Sequence, residues 1–89
     1  MKIGRLELCK KTILGRKAKD DELEICMWDK EDEHKWTIAS FSYNETYDCY
    51  NLNSCVDRLS NADIDWLVFG QLVKEGYSRL WMKSQKNLQ

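Results

Sequence analysis

Two runs of strand-forming residues, Leu23 to Trp28 and Trp36 to Tyr43, flank a short charged connection, Asp29 to Lys35. Stretches this rich in β-branched and aromatic side chains, separated by a polar turn, pair as an antiparallel hairpin. Side chains alternate between the two faces of a strand, so the register decides which residues share the core. With Trp28 opposite Trp36, the residues Leu23, Ile25 and Met27 join Thr37, Ala39 and Phe41 on one apolar face. Continuing through the loop Asn44 to Tyr47, Phe41 opposes Tyr50 and Ala39 opposes Leu52, which extends that face onto a further strand. Residues 3–9 alternate as well, with Leu6 and Leu8 on one side and Arg5, Glu7 and Cys9 on the other. The expected sheet is an antiparallel β-meander of three to four strands with one wet side.

An apolar face of this kind needs a cover, and the C-terminal third supplies a helix. Ser60 or Asn61 can cap it, Asp63 and Asp65 suit a first turn where the dipole favours anions, and Gly76 suits a left-handed terminator. Ile64, Leu67, Val68 and Leu72 follow the spacing of one buried stripe, broadened by Trp66, Phe69 and Val73. Residues 77–82 fit either a final strand or a second short helix, and residues 83–89 form a polar, frayed tail. Proline is absent and the four glycines are isolated, so no linker divides the chain. The reading is a single α+β domain over residues 1–89. At that length a core is small, and four Trp, four Tyr and two Phe supply bulky filler for it.

Charge is strongly segregated. Residues 1–19 carry seven Lys and Arg against one Glu, and residues 20–33 carry eight Asp and Glu against one Lys, so the net charge of −1 hides two opposed blocks. Such a surface suits docking of a charged macromolecule better than turnover of a metabolite. Lys10, Lys11, Arg16, Lys17 and Lys19 could contact phosphates, with Trp28, Trp36 and Tyr43 as stacking platforms for single-stranded nucleic acid. The acidic block beside them argues against a polyanion tracking the sheet. The expected register leaves Cys26, Trp28, Trp36 and Ile38 on the face away from the helix. Two opposed tryptophans rimmed by Glu31, Asp32 and Glu33 have the composition of a protein-binding hot spot. Coverage of that face by the segment around Leu80 and Trp81, or by a second copy in a homodimer, is the competing reading.

Catalytic chemistry finds little support. The single histidine, His34, lies in a charged turn, and no glycine-rich phosphate loop occurs. Cys9, Cys26, Cys49 and Cys55 lack the close spacing of zinc knuckles, so free thiols without metal, packed as small hydrophobes, are expected. No apolar run is long enough to span a bilayer or serve as a signal peptide, which points to a cytoplasmic chain. In size, charge polarity and want of catalytic groups the chain resembles, in type only, accessory or inhibitor proteins carried by phages and mobile elements. The expectation is a non-enzymatic protein, without cofactor, that binds another protein. A nucleic-acid-binding module and a homo-oligomer are the alternatives.

Overall fold

The computed structural model describes residues 1–54 and 64–87. Among them run β1 (Lys2–Ile3), β2 (Leu6–Lys10), β3 (Leu23–Trp28), β4 (Lys35–Asn44), β5 (Cys49–Ser54) and one helix, α1 (Trp66–Asn87). The strands form an antiparallel sheet in the order β1-β2-β3-β4-β5, a meander in which each strand pairs with its sequence neighbour. The sheet has one strand more than the sequence suggests, because the first stretch folds back on itself. Gly4 takes a φ of 59° at the tip, a conformation glycine adopts without steric cost, and Ile3 pairs with Leu6 across the two-residue turn.

The β3–β4 hairpin forms where expected, but its register changes partway. Ile25 pairs with Ala39, whereas Cys26 pairs with Thr37, so Ile38 is a bulge residue without a partner. Trp28 therefore opposes Lys35, and Trp36 opposes Met27. The expected face-to-face tryptophan pair does not exist: the two rings lie on opposite faces of the sheet. Ile38, expected on the wet face, turns into the core beside Ala39, and both are fully buried. Burial of the Ile38 side chain stabilises by about 2 kcal/mol relative to exposure, which offsets the ladder interruption at the bulge. In the next hairpin Phe41 pairs with Leu52 and Ala39 with Ser54, two residues from the expected register. A shift of two keeps every side chain on its predicted face.

Helix α1 begins later and ends later than its punctuation suggests. Asp65 is the N-cap, its Oδ1 accepting from the backbone N–H groups of Leu67 and Val68, each at 3.2 Å. The alternative caps Ser60 and Asn61, together with Asp63, lie outside the described residues. Gly76 does not end the helix, which runs on through residues 77–82 and most of the supposed tail to Asn87. Gly76 is instead buried against the Phe41 ring: a Cβ there would stand 2.7 Å from Phe41 Cε2 and closer still to Cζ. Only a residue without a side chain lets helix and sheet approach this far. Leu72, Gly76 and Leu80, four residues apart, form the buried stripe, flanked by the half-buried Val68, Phe69 and Val73. Leu67 is off the stripe, 83% exposed, and contributes nothing to the core it was assigned to.

The core lies between α1 and one sheet face, and joins Leu6, Leu8, Leu23, Ile25, Met27, Ile38, Ala39 and Phe41 to Ile64, Leu72 and Leu80. Leu80 is thus committed to this side and covers nothing on the other. No helix among the described residues is long and apolar enough to cross a membrane.

The Phe41–Gly76 contact makes a sharp prediction. Gly76→Ala gains helix propensity but must displace the ring, so a net loss of about 1–3 kcal/mol is expected in denaturant unfolding. Phe41→Leu in the same chain should recover part of that loss. Leu67→Ala, by contrast, should change stability by less than about 0.5 kcal/mol. A neutral Gly76→Ala, or a Leu67→Ala that unfolds the domain, would contradict this packing.

Candidate functional site

With α1 on one face, the other face of the sheet is built by the alternate residues: Lys2, Glu7 and Cys9, Glu24, Cys26 and Trp28, then Lys35 and Thr37. Farther along it becomes small and polar, where Asn53 donates to Ser42 at 2.8 Å. At its centre two thiols and a carboxylate meet. Cys9 pairs with Glu24, and Glu7 with Cys26, so the two cysteines are diagonal neighbours across β2 and β3 with sulfurs 3.7 Å apart. Cys26 Sγ donates to Glu24 Oε1 at 3.2 Å, and Thr37 Oγ1 donates to Glu24 Oε2 at 3.0 Å.

Glu24 is only 7% exposed, yet the donors that meet its two oxygens are a thiol and a hydroxyl. A carboxylate so buried is costly unless strongly compensated. Burial first, then the Glu24 hydrogen bond and the neighbouring Cys9 sulfur, push the Cys26 thiol well above its ordinary value. It is protonated at neutral pH and unsuited to attack as a nucleophile. The bulge is what brings Thr37 here, since the unshifted register would have set Ile38 opposite Cys26.

A charged group rims this centre. Lys35 Nζ lies 3.2 Å from Glu7 Oε1 and 3.8 Å from Cys9 Sγ. Partial burial is the largest single influence on Glu7 and Lys35 and works against the charged form of each. Their hydrogen bond and mutual attraction, with the Trp28 hydrogen bond at Glu7 and the cysteine sulfurs at Lys35, together exceed it, lowering the Glu7 pKa and raising that of Lys35. Trp28 Nε1 donates to Glu7 Oε1 at 3.3 Å, and its ring takes Lys2 Nζ at 5.0 Å and Lys35 Nζ at 5.3 Å from the centroid. Trp28 is therefore half-buried and engaged within the molecule rather than presented as a hot spot.

The remaining candidate residues disperse. Trp36 is 37% exposed on the helix side of the sheet, and Glu31, Asp32 and Glu33 are exposed in the β3–β4 turn with His34. Asp32 pairs with Lys2 at 3.1 Å, while the Glu33 N–H donates to Asp29 Oδ1 at 2.8 Å. In the basic segment, Lys10 pairs with Asp20 at 2.9 Å, and Arg16 grips both oxygens of Glu22 at 2.7 Å each. The Lys19 N–H also donates to Glu22, the Lys11 N–H donates to the Glu22 carbonyl, and Lys17 is exposed. The two charge blocks thus answer one another within the fold. Of the three described cysteines Cys26 is buried, though hydrogen-bonded to Glu24 rather than packed as a hydrophobe, Cys9 is half-buried and Cys49 exposed; Cys55 lies outside the described residues.

Spacing along the chain gives no hint of the Cys9–Glu24–Cys26 cluster, because its members come from two strands separated by the Lys11–Glu22 loop. The sequence signal that could find it is the shared face: Cys9 on the Glu7 side of β2, and Glu24 and Cys26 alternating on β3. A second group also escapes the sequence reading. Successive helical residues turn by about 100°, so Trp66, Gly70, Tyr77 and Trp81 fall within an arc of about 60° on one flank of α1. Trp66 is 46%, Tyr77 38% and Trp81 64% exposed, and no atom lies near the position of a Gly70 Cβ. Comparison with protein-family models, with curated proteins and with solved structures finds no match to this chain.

The Arg16 clamp, with help from the Lys19 N–H, holds the Glu22 carboxyl at about 2 against an ordinary 4.5. Since folding lowers this pKa, the clamp contributes fully above about pH 4.5 and is lost as pH falls towards about 2. Carboxyl NMR should show Glu22 titrating with a midpoint near 2, and Arg16→Ala should return it to the ordinary range. An unchanged midpoint in the variant would remove the clamp as its cause.

Proposed function

We propose that this chain is a non-enzymatic binding protein, of the accessory or inhibitor kind, that engages another protein through the outer flank of α1. The observation that supports this is the line of exposed aromatics Trp66, Tyr77 and Trp81, with Gly70 as a notch between them. Tryptophan and tyrosine are the residues most enriched at binding hot spots, and large apolar side chains in a line on one helix suit a groove on a partner. Tyr77 is braced from beneath by an edge-on Phe41 ring at 5.2 Å, and Trp66 by Phe69 at 5.4 Å, so two of the three are already ordered. A pre-ordered contact loses less side-chain entropy on binding. This surface replaces the Trp28–Trp36 pair, whose members cannot touch one partner surface from opposite faces. The nucleic-acid alternative loses support because Lys10 and Arg16 are matched by Asp20 and Glu22.

The test begins with affinity capture from the native host and continues with the purified partner in calorimetry. Trp81→Ala should weaken binding about 30-fold or more while leaving the melting temperature of the free protein unchanged. Equal affinity of wild type, Trp66→Ala and Trp81→Ala would exclude the flank as the contact. Sedimentation of the wild type separates a further case: self-association abolished by Trp81→Ala would make the flank an interface between two copies.

A further inference from the structure

We propose that Cys9 Sγ, Cys26 Sγ and Glu24 Oε1 form a binding site for a zinc-class divalent cation on the open face of the sheet, with a fourth position left for water or a ligand. The two sulfurs and a carboxylate oxygen of Glu24 lie within 4.8 Å of one another. Two thiolates on one tetrahedral zinc, each at about 2.3 Å, stand about 3.8 Å apart, and a thiolate and a carboxylate oxygen about 3.5 Å apart. The observed sulfur–sulfur distance is 3.7 Å and the Cys26 Sγ–Glu24 Oε1 distance 3.2 Å, both near these spans, and the Cys9–Glu24 span is at most 4.8 Å, so the set closes around an ion with a shift of about 1 Å or less at that edge.

Three features beyond proximity point to a cation. Glu24 is buried with a hydroxyl and a thiol as donors, and a metal would supply the positive charge that such a carboxylate needs. Thr37 holds the other oxygen, Oε2, at 3.0 Å, which fixes the carboxylate with Oε1 turned to the Cys26 sulfur, the task of an outer partner at a metal centre. Lys35 Nζ, held by Glu7, stands 3.8 Å from Cys9 Sγ, where its positive charge favours the thiolate that a metal needs. On binding, both thiol protons pass to solvent, and the ion takes the place of the Cys26-to-Glu24 hydrogen bond. The mixed sulfur and oxygen donor set suits zinc rather than copper(I), which selects sulfur alone, or calcium, which selects oxygen. Cys9 is half-exposed, which gives an ion a way in from solvent on its side of the cluster.

Cobalt(II) is the probe, titrated anaerobically with a phosphine reductant into the full chain carrying Cys49→Ser and Cys55→Ser, which removes the other two thiols. One equivalent should produce the thiolate-to-cobalt absorption and the intense visible bands of a tetrahedral site, and zinc should displace both. Cys9→Ser, which leaves one thiolate, should cut the thiolate band by at least half and weaken binding, and Thr37→Val should weaken binding about 10- to 100-fold. Circular dichroism of each metal-free variant checks that it is folded, and Thr37→Val keeps the question answerable if Cys9→Ser is not. Absence of the bands in folded, fully reduced protein overturns the proposal. So does recovery of the pair only as a Cys9–Cys26 disulfide under air, with no cobalt bound by the reduced form.

Discussion

The bulge at Ile38 is the constraint on which both faces of this sheet depend. A strand of period two offers Ile38 and Ala39 to opposite sides, and the core has room for both. Leaving Ile38 unpaired turns it inward with Ala39 and shifts every later pairing towards Trp28 by one residue. One local irregularity thereby deepens the core, sends Trp36 to the helix side, and sets Thr37 opposite Cys26. Had the ladder run straight, an isoleucine would sit where a hydroxyl now holds Glu24.

The two faces are then finished by different physics. The helix side is closed by shape: Gly76 lets α1 settle onto the Phe41 ring, with Leu72 and Leu80 on either side of it along the stripe. Interior packing at this density tolerates neither an added methyl nor a missing ring without cost. The open side is closed by charge and hydrogen bonding, through Lys2, Glu7, Lys35 and Trp28 around the two thiols and Glu24. Cys26 is as buried there as any core leucine, although no helix among the described residues lies over it. Such a network is worth more when every member has a partner, and its one buried carboxylate, Glu24, has a donor at each oxygen but no cation beside it among the described residues.

Charge segregation along the chain has a structural outcome. Each meander turn brings the end of one strand back to the start of the next, so a basic first segment and the acidic one after it become neighbours. Lys2 reaches Asp32, Lys10 reaches Asp20, and Arg16 reaches Glu22. The contact proposed above is accordingly apolar rather than a field of one sign, and rests on the exposed aromatic line of α1.

The residues themselves determined the strands β3 and β4, the extension of their apolar face through Phe41 to the next hairpin, and the existence of a helix over that face, because periodicity and propensity are local properties. On the other face Glu7 and Cys9 were legible, but the aromatic patch expected there was not, because the bulge moves Trp36 and Ile38 to the helix side. Tertiary structure alone decided the rest. Whether Gly76 stops a helix or admits a ring depends on what packs against it, and the residue type is compatible with both. The phase of the α1 stripe, which exposes Leu67 and buries Leu80, follows from that same contact. The bulge is a compromise between ladder hydrogen bonding and burial of Ile38, and such compromises are resolved only when both sides of the sheet are present. The meeting of Cys9 with Cys26 belongs to strand pairing, which joins positions that spacing along the chain leaves unrelated.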